Sequence, residues 1–166
     1  MAARPSPTSQ RERVLPLPLA FRGAVLTNPF GDDVDVYKVG IQAASGAAGR
    51  HAGGKMFCLI SRRGGAGTMT VKAAPEHVEG LVRGHAAIQP GYHMNKRHWV
   101  SVTLDGTLDD AVLRELVEDS YDLTLSTLTT RARFDVDPDR FPLPPLRSRT
   151  PASSRHRLPP RDTPSP

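Results

Sequence analysis

The segment Gly91 to Trp99, GYHMNKRHW, gathers an aromatic, two histidines, an amide, two cations and the only tryptophan into one short stretch. Tyr92, His93, Asn95, Lys96 and Arg97 make a donor-rich set that suits an anion, phosphate being the commonest one. Pro90 and Gly91 shape the loop through the backbone, so those five side chains are expected to point outward. Directly after it Val100-Ser-Val-Thr-Leu104 alternates, with Trp99 starting the apolar set, so a loop is passing into a strand that buries one sheet face.

Four further cations complete a candidate phosphate-contacting set. Lys55 opens one strand, Lys72 closes another, and Arg62 and Arg63 precede the glycine-rich turn Gly64 to Gly67. In a DNA-binding module Lys55, Arg62, Arg63, Lys72, Lys96 and Arg97 would contact phosphates, while Tyr92, His93 and Asn95 would approach bases or sugar. Catalytic chemistry is poorly supported. His93 and His98 lie five apart with no third ligand in view, Cys58 sits inside an apolar strand, and no Ser/His/Asp spacing stands out. No catalytic residue, metal ligand or cofactor is assigned.

The elements that would hold these residues follow from hydrophobic patterning. Strands are expected at 34–39, 55–60, 68–72 and 100–104. A helix should open at Pro75 and stop by Gly84, because proline suits the first helical turn and glycine the end. Asp105-Gly106 marks a turn, Thr107 is the expected cap of a last helix ending near Leu128, and Leu113, Val117 and Tyr121 with Leu108, Val112 and Leu116 give it one apolar face. Its outer face is acidic, through Glu115, Glu118, Asp119 and Asp122. Residues 40–54, rich in Gly, Ala and Ser, read as an inserted flexible loop. Strand, strand, strand, helix, strand, helix predicts an α+β domain: an antiparallel sheet backed by helices, its other face open for docking.

Composition bounds the domain. Of 166 residues, 38% are hydrophobic, and the mean hydropathy is −0.38. The shortage lies at the ends: four prolines fall in residues 1–20, and nine prolines with six arginines in residues 134–166. Both stretches are expected to be disordered, leaving one domain at 21–133. The net charge of +5 is misleading, because Lys and Arg against Asp and Glu number 13 to 12 within 21–133. Attraction to a polyanion must therefore come from a local patch or from the tails. A single cysteine fits a reducing compartment, and no apolar run is long enough for a bilayer, so a cytoplasmic protein without a membrane partner is expected.

The residues also carry a family resemblance. KVG at 38–40, GKMF at 54–57, PGYHMNKRHW at 90–99, the Leu104-Asp-Gly turn and EDSYDL at 118–123 resemble the MmcQ/YjbR family over about 28–128. The matching positions are Pro29, Phe30, Gly31, Lys38, Gly54, Lys55, Phe57, Pro90 to His93, Asn95 to Arg97, Trp99 and Tyr121. The resemblance implies a frataxin-like (CyaY) or double-wing fold and a DNA-binding role. Two departures stand out: the family's opening helix is replaced here by the proline-broken run 14–26, and about a dozen residues enter between the first two strands. The reading is a non-enzymatic DNA-binding domain, with a protein- or small-anion-binding adaptor using the same loop as the alternative.

Overall fold

The computed structural model describes residues 7–40 and 54–144. Six strands form one sheet in the order β1-β2-β3-β4-β6-β5. They are β1 Val25–Thr27, β2 Val34–Val39, β3 Lys55–Ser61, β4 Thr68–Lys72, β5 Ile88–Pro90 and β6 Trp99–Thr103. Every pairing is antiparallel. Helices α1 Pro7–Val14, α2 Pro75–Gly84, α3 Asp110–Ser126 and α4 Thr130–Val136 complete an α+β fold.

The core forms where one sheet face meets α3. Cross-strand partners Tyr37, Cys58, Val71 and Val100 share that face, and Leu113, Leu116, Val117, Tyr121 and Leu125 face them at helical spacing. The helix begins at Asp110, later than the Thr107 cap predicted, because the Thr107 hydroxyl turns back to Asp105 at 2.6 Å and leaves Asp109 as N-cap. A β-bulge fixes how β3 meets α3. The register passes from Tyr37↔Cys58 to Lys38↔Met56, so Phe57 is an extra residue. Its ring packs edge-on to Tyr121 at 5.4 Å, and Phe21 stacks on Tyr121 at 4.8 Å. Beside the bulge the buried Ser120 hydroxyl accepts from the Lys72 N–H and donates to the Phe57 carbonyl. It thereby satisfies two backbone groups that β3 and β4 no longer give each other.

Several expectations are corrected. The lead 1–20 is not disordered over the described part: α1 occupies Pro7–Val14 and a 3₁₀ turn Leu17–Ala20. A helix therefore does precede the Pro-Phe-Gly turn, upstream of the prolines that break the run at 14–26. It is held by polar contacts that leave no apolar periodicity. Gln10, 2% exposed, donates to the Leu108 carbonyl at 2.7 Å and accepts from the Gly106 N–H at 2.8 Å, while Val14 enters the core. The domain also runs past residue 133, since α4 crosses it, Phe141 packs on the core, and Arg22 reaches Asp137 at 2.6 Å. Residues 145–166 and the expected insertion, apart from its ends at Gly40 and Gly54, lie outside the described residues. The open docking face is not found at its centre either. Val36, Thr70 and Ser101 on that face are 1%, 5% and 8% exposed.

Candidate nucleic-acid interface

The loop Gly91–His98 closes the hairpin between β5 and β6, and its backbone is tied at both ends. The Gly91 N–H donates to the Trp99 carbonyl at 2.8 Å. A Cβ on Gly91 would lie 2.7 Å from the Trp99 Cβ and 3.0 Å from its carbonyl oxygen, so only glycine allows this approach. The Tyr92 N–H donates to Ser101 Oγ at 3.1 Å, and that hydroxyl is paired with Thr70 Oγ1 at 2.9 Å. At the far end the Ala73 N–H donates to the His98 carbonyl at 3.0 Å, fastening the loop to the start of α2. Asn95 braces the middle, its side-chain oxygen accepting the Arg97 N–H at 3.0 Å. That amide oxygen supports the loop's own turn, although Asn95 is exposed as expected.

On this frame Tyr92 is 75% exposed. Its ring centroid lies 3.9 Å from that of His93, and His93 takes a φ of +56°, a left-handed backbone that non-glycine residues rarely adopt. Lys96 and Arg97 are exposed. Their side chains have no hydrogen-bond or ion-pair partner among the described residues. Two hollows flank them: one of about 490 Å³ between the loop and α2, lined by Lys96, Arg97, Val82 and the paired Glu79 and Arg83, and one of about 480 Å³ over Gln89, Tyr92, His93 and Lys96.

The predicted phosphate set is divided by the fold. Lys72 pairs with Trp99 at the loop end of the sheet, whereas Thr68 pairs with Thr103 and Ser61 at the other. The four-residue step along β4 separates the two ends by roughly 13 Å. Lys55 and Lys72 therefore stand at the loop's end, and Arg62 and Arg63 at the opposite one. Lys55 donates to the Thr127 carbonyl at 2.7 Å, satisfying a backbone group just past the end of α3. Lys72 Nζ lies 5.5 Å from the Trp99 ring centroid. Burial holds its pKa below the usual lysine value, and the neighbouring Lys55 charge adds to the effect. Arg62 spends its guanidinium on the Asp35 carboxylate at 3.1 Å and the Asp32 carbonyl at 2.9 Å. Arg63 lies 3.9 Å from Asp33.

Sequence reasoning missed the supports. Ser101 and Thr70, which fix Tyr92, read only as polar positions in alternating strands, and their meeting depends on the β4–β6 register. Gln89, at the edge of one hollow, carries no local signal. Cys58 is fully buried, and burial pushes its thiol up, which removes the thiolate a nucleophile needs. Among the described residues no three His, Cys, Asp or Glu side chains converge as metal ligands would. No described helix is long and apolar enough to cross a membrane.

A helix-backed antiparallel sheet with a tied, cation-bearing hairpin loop at one end defines a class of small α+β domain. The chain belongs to the YjbR family, whose model matches residues 19–123. It is 34% identical over 110 residues to YbdF of Escherichia coli O157:H7, covering 66% of this chain and 80% of that one. It is 32% identical over 78 residues to YjbR of Escherichia coli K12, covering 47% and 66%. Both relatives are described as uncharacterized proteins. Among solved structures, the crystal structure of Deinococcus radiodurans protein DR2400, a DUF419 domain, is similar. Its TM-score is 0.64 with 31% identity, over 75% of this chain and 86% of that one. A Pseudomonas syringae protein matches at a TM-score of 0.51 and 25% identity, over 69% and 97%.

Proposed function

We propose that this chain is a non-enzymatic DNA-binding domain that contacts phosphate through the loop Gly91–His98. The observation that carries the reading is that Lys96 and Arg97 stand side by side and exposed on the tied loop, whereas most of the described arginines are committed to carboxylates. Arg22, Arg62, Arg83, Arg131 and Arg140 are each engaged by a carboxylate. Lys96 and Arg97 stand exposed on a fixed backbone without such a partner among the described residues. A pair of unneutralised cations on a rigid loop is suited to a polyanion, because binding displaces condensed counterions without first breaking an internal ion pair. Lys55 and Lys72 at the same end of the sheet add to the local field.

The test is the salt dependence of binding to a mixed-sequence duplex, followed by fluorescence anisotropy with the full chain and its Lys96→Ala/Arg97→Ala variant. Each phosphate contact removed should lower the log–log slope by about 0.9, so the double variant should bind more weakly with a slope shallower by about two. An unchanged slope would remove the loop from the interface. Absence of binding at low salt to the duplex and to its separated strands would overturn the DNA reading. It would favour the alternative, a small carboxylate or phosphate or an acidic protein surface held at Lys96 and Arg97.

A further inference from the structure

Tyr92 is the most exposed of the large apolar side chains in the described residues, at 75%. Such a ring contributes little to the core, yet its position is closely specified. Its own N–H is held by Ser101, its neighbour Gly91 is pressed against Trp99, and its ring is packed against His93 in the left-handed conformation. Rigid presentation of an aromatic face lowers the entropy lost on binding. Tyr92, His93, Lys96 and the exposed amide Gln89 line a single hollow of about 480 Å³. The two rings are inclined at 58°, so a base would lie on the Tyr92 face with His93 at its side, leaving its phosphate near Lys96 and its edge near Gln89.

The neighbouring helix disfavours the other mode of DNA recognition. Glu76 and Glu79 of α2 are exposed, and Glu79 engages Arg83, the helix's only arginine. Entry of α2 into a major groove would set those carboxylates against backbone phosphates.

We infer that the exposed Tyr92 ring, buttressed by His93, is a stacking platform for an unpaired base, so that the loop takes single-stranded DNA in preference to duplex. This rests on the DNA-binding reading above. Every base has a π-face, so recognition by stacking is tolerant of sequence, and phosphate contacts from Lys96 and Arg97 supply the salt-dependent share.

The experiment uses a labelled strand of about 15 nucleotides, alone and annealed to its complement, titrated with the full chain and with Tyr92→Ala and Tyr92→Phe. The wild-type chain should prefer the single strand. Tyr92→Ala should lose about tenfold on it, the cost of one base–aromatic stack, with an unchanged salt slope and melting temperature. Tyr92→Phe should keep the affinity, because the ring and not the hydroxyl is used. Equal affinity of Tyr92→Ala and wild type for the single strand overturns the inference, as does duplex bound as tightly as single strand. In the latter case DNA binding itself stands. Failure to bind either form at low salt removes both readings.

Discussion

Gly91 and Ser120 show how single residues set the geometry on which the loop depends. A Cβ at Gly91 would press into Trp99 at 2.7 Å with a backbone oxygen at 3.0 Å, and neither neighbour is a flexible chain end. Gly91→Ala should therefore cost about 1–3 kcal/mol in urea unfolding, shift the Trp99 emission, and weaken DNA binding through displacement of Tyr92. Ser120→Ala acts at the opposite side of Lys72. It strips the only side-chain partner that the Lys72 N–H and the Phe57 carbonyl have among the described residues. Stability should fall by about 1–3 kcal/mol, the cost of unsatisfied buried groups, and a Ser120→Ala chain as stable as wild type would contradict the bridging role. Residue types in the loop were legible from the sequence, because a cluster of donors beside a turn glycine is a local signal. The anchoring of Tyr92 was not, because Ser101 and Thr70 meet it only through the strand register.

At the scale of elements, strands and long helices announced themselves and α1 did not. β2, β4 and β6 alternate, β3 is a continuous apolar run, and α3 repeats its apolar residues every three or four positions, so patterning located them within a residue or three. β1 and β5 span three residues each, too few for a pattern. Helix α1 buries Gln10 as a polar peg in the turn before α3, and this kind of burial has no periodic signature. Gln10→Ala should release the 105–110 turn and lower stability by about 1–3 kcal/mol, read by urea unfolding. The adjoining pair adds a pH dependence. Arg13 Nε lies 2.5 Å from Asp110; its hydrogen bond holds the Asp110 carboxyl below its ordinary value, outweighing desolvation. A carboxyl lowered in the folded state stabilises the fold above its unfolded value of about 3.9. That contribution fades as pH falls through the folded value. Wild type should thus be more stable than Asp110→Asn at neutral pH, with the difference shrinking below about pH 4. A constant difference across that range would show that the ion pair contributes nothing.

Over the whole molecule, the net charge of +5 conceals a division of labour between the two ends of the sheet. At the hairpin end, Arg62 neutralises Asp35, whose side chain is 6% exposed, while the arginine side chain is 43% exposed. At the loop end, Lys96 and Arg97 neutralise nothing among the described residues. Composition could not separate these two environments, because an arginine paired with a carboxylate and one without such a partner look alike until their neighbours are known. The separation predicts opposite phenotypes. Arg62→Ala leaves Asp35 with the Asn28 amide at 2.8 Å as its remaining side-chain donor. It should therefore lower stability by about 1–2 kcal/mol, the loss of a charge-assisted hydrogen bond partly screened by solvent. Its salt slope for DNA should match wild type. Lys96→Ala/Arg97→Ala should melt with wild type and carry the shallower slope. Thermal melting and salt titration of both variants decide between one basic surface and two separate ones. If Arg62→Ala flattened the slope as much as the loop variant, the hairpin end would belong to the interface, and DNA would have to span the roughly 13 Å between the ends of β4.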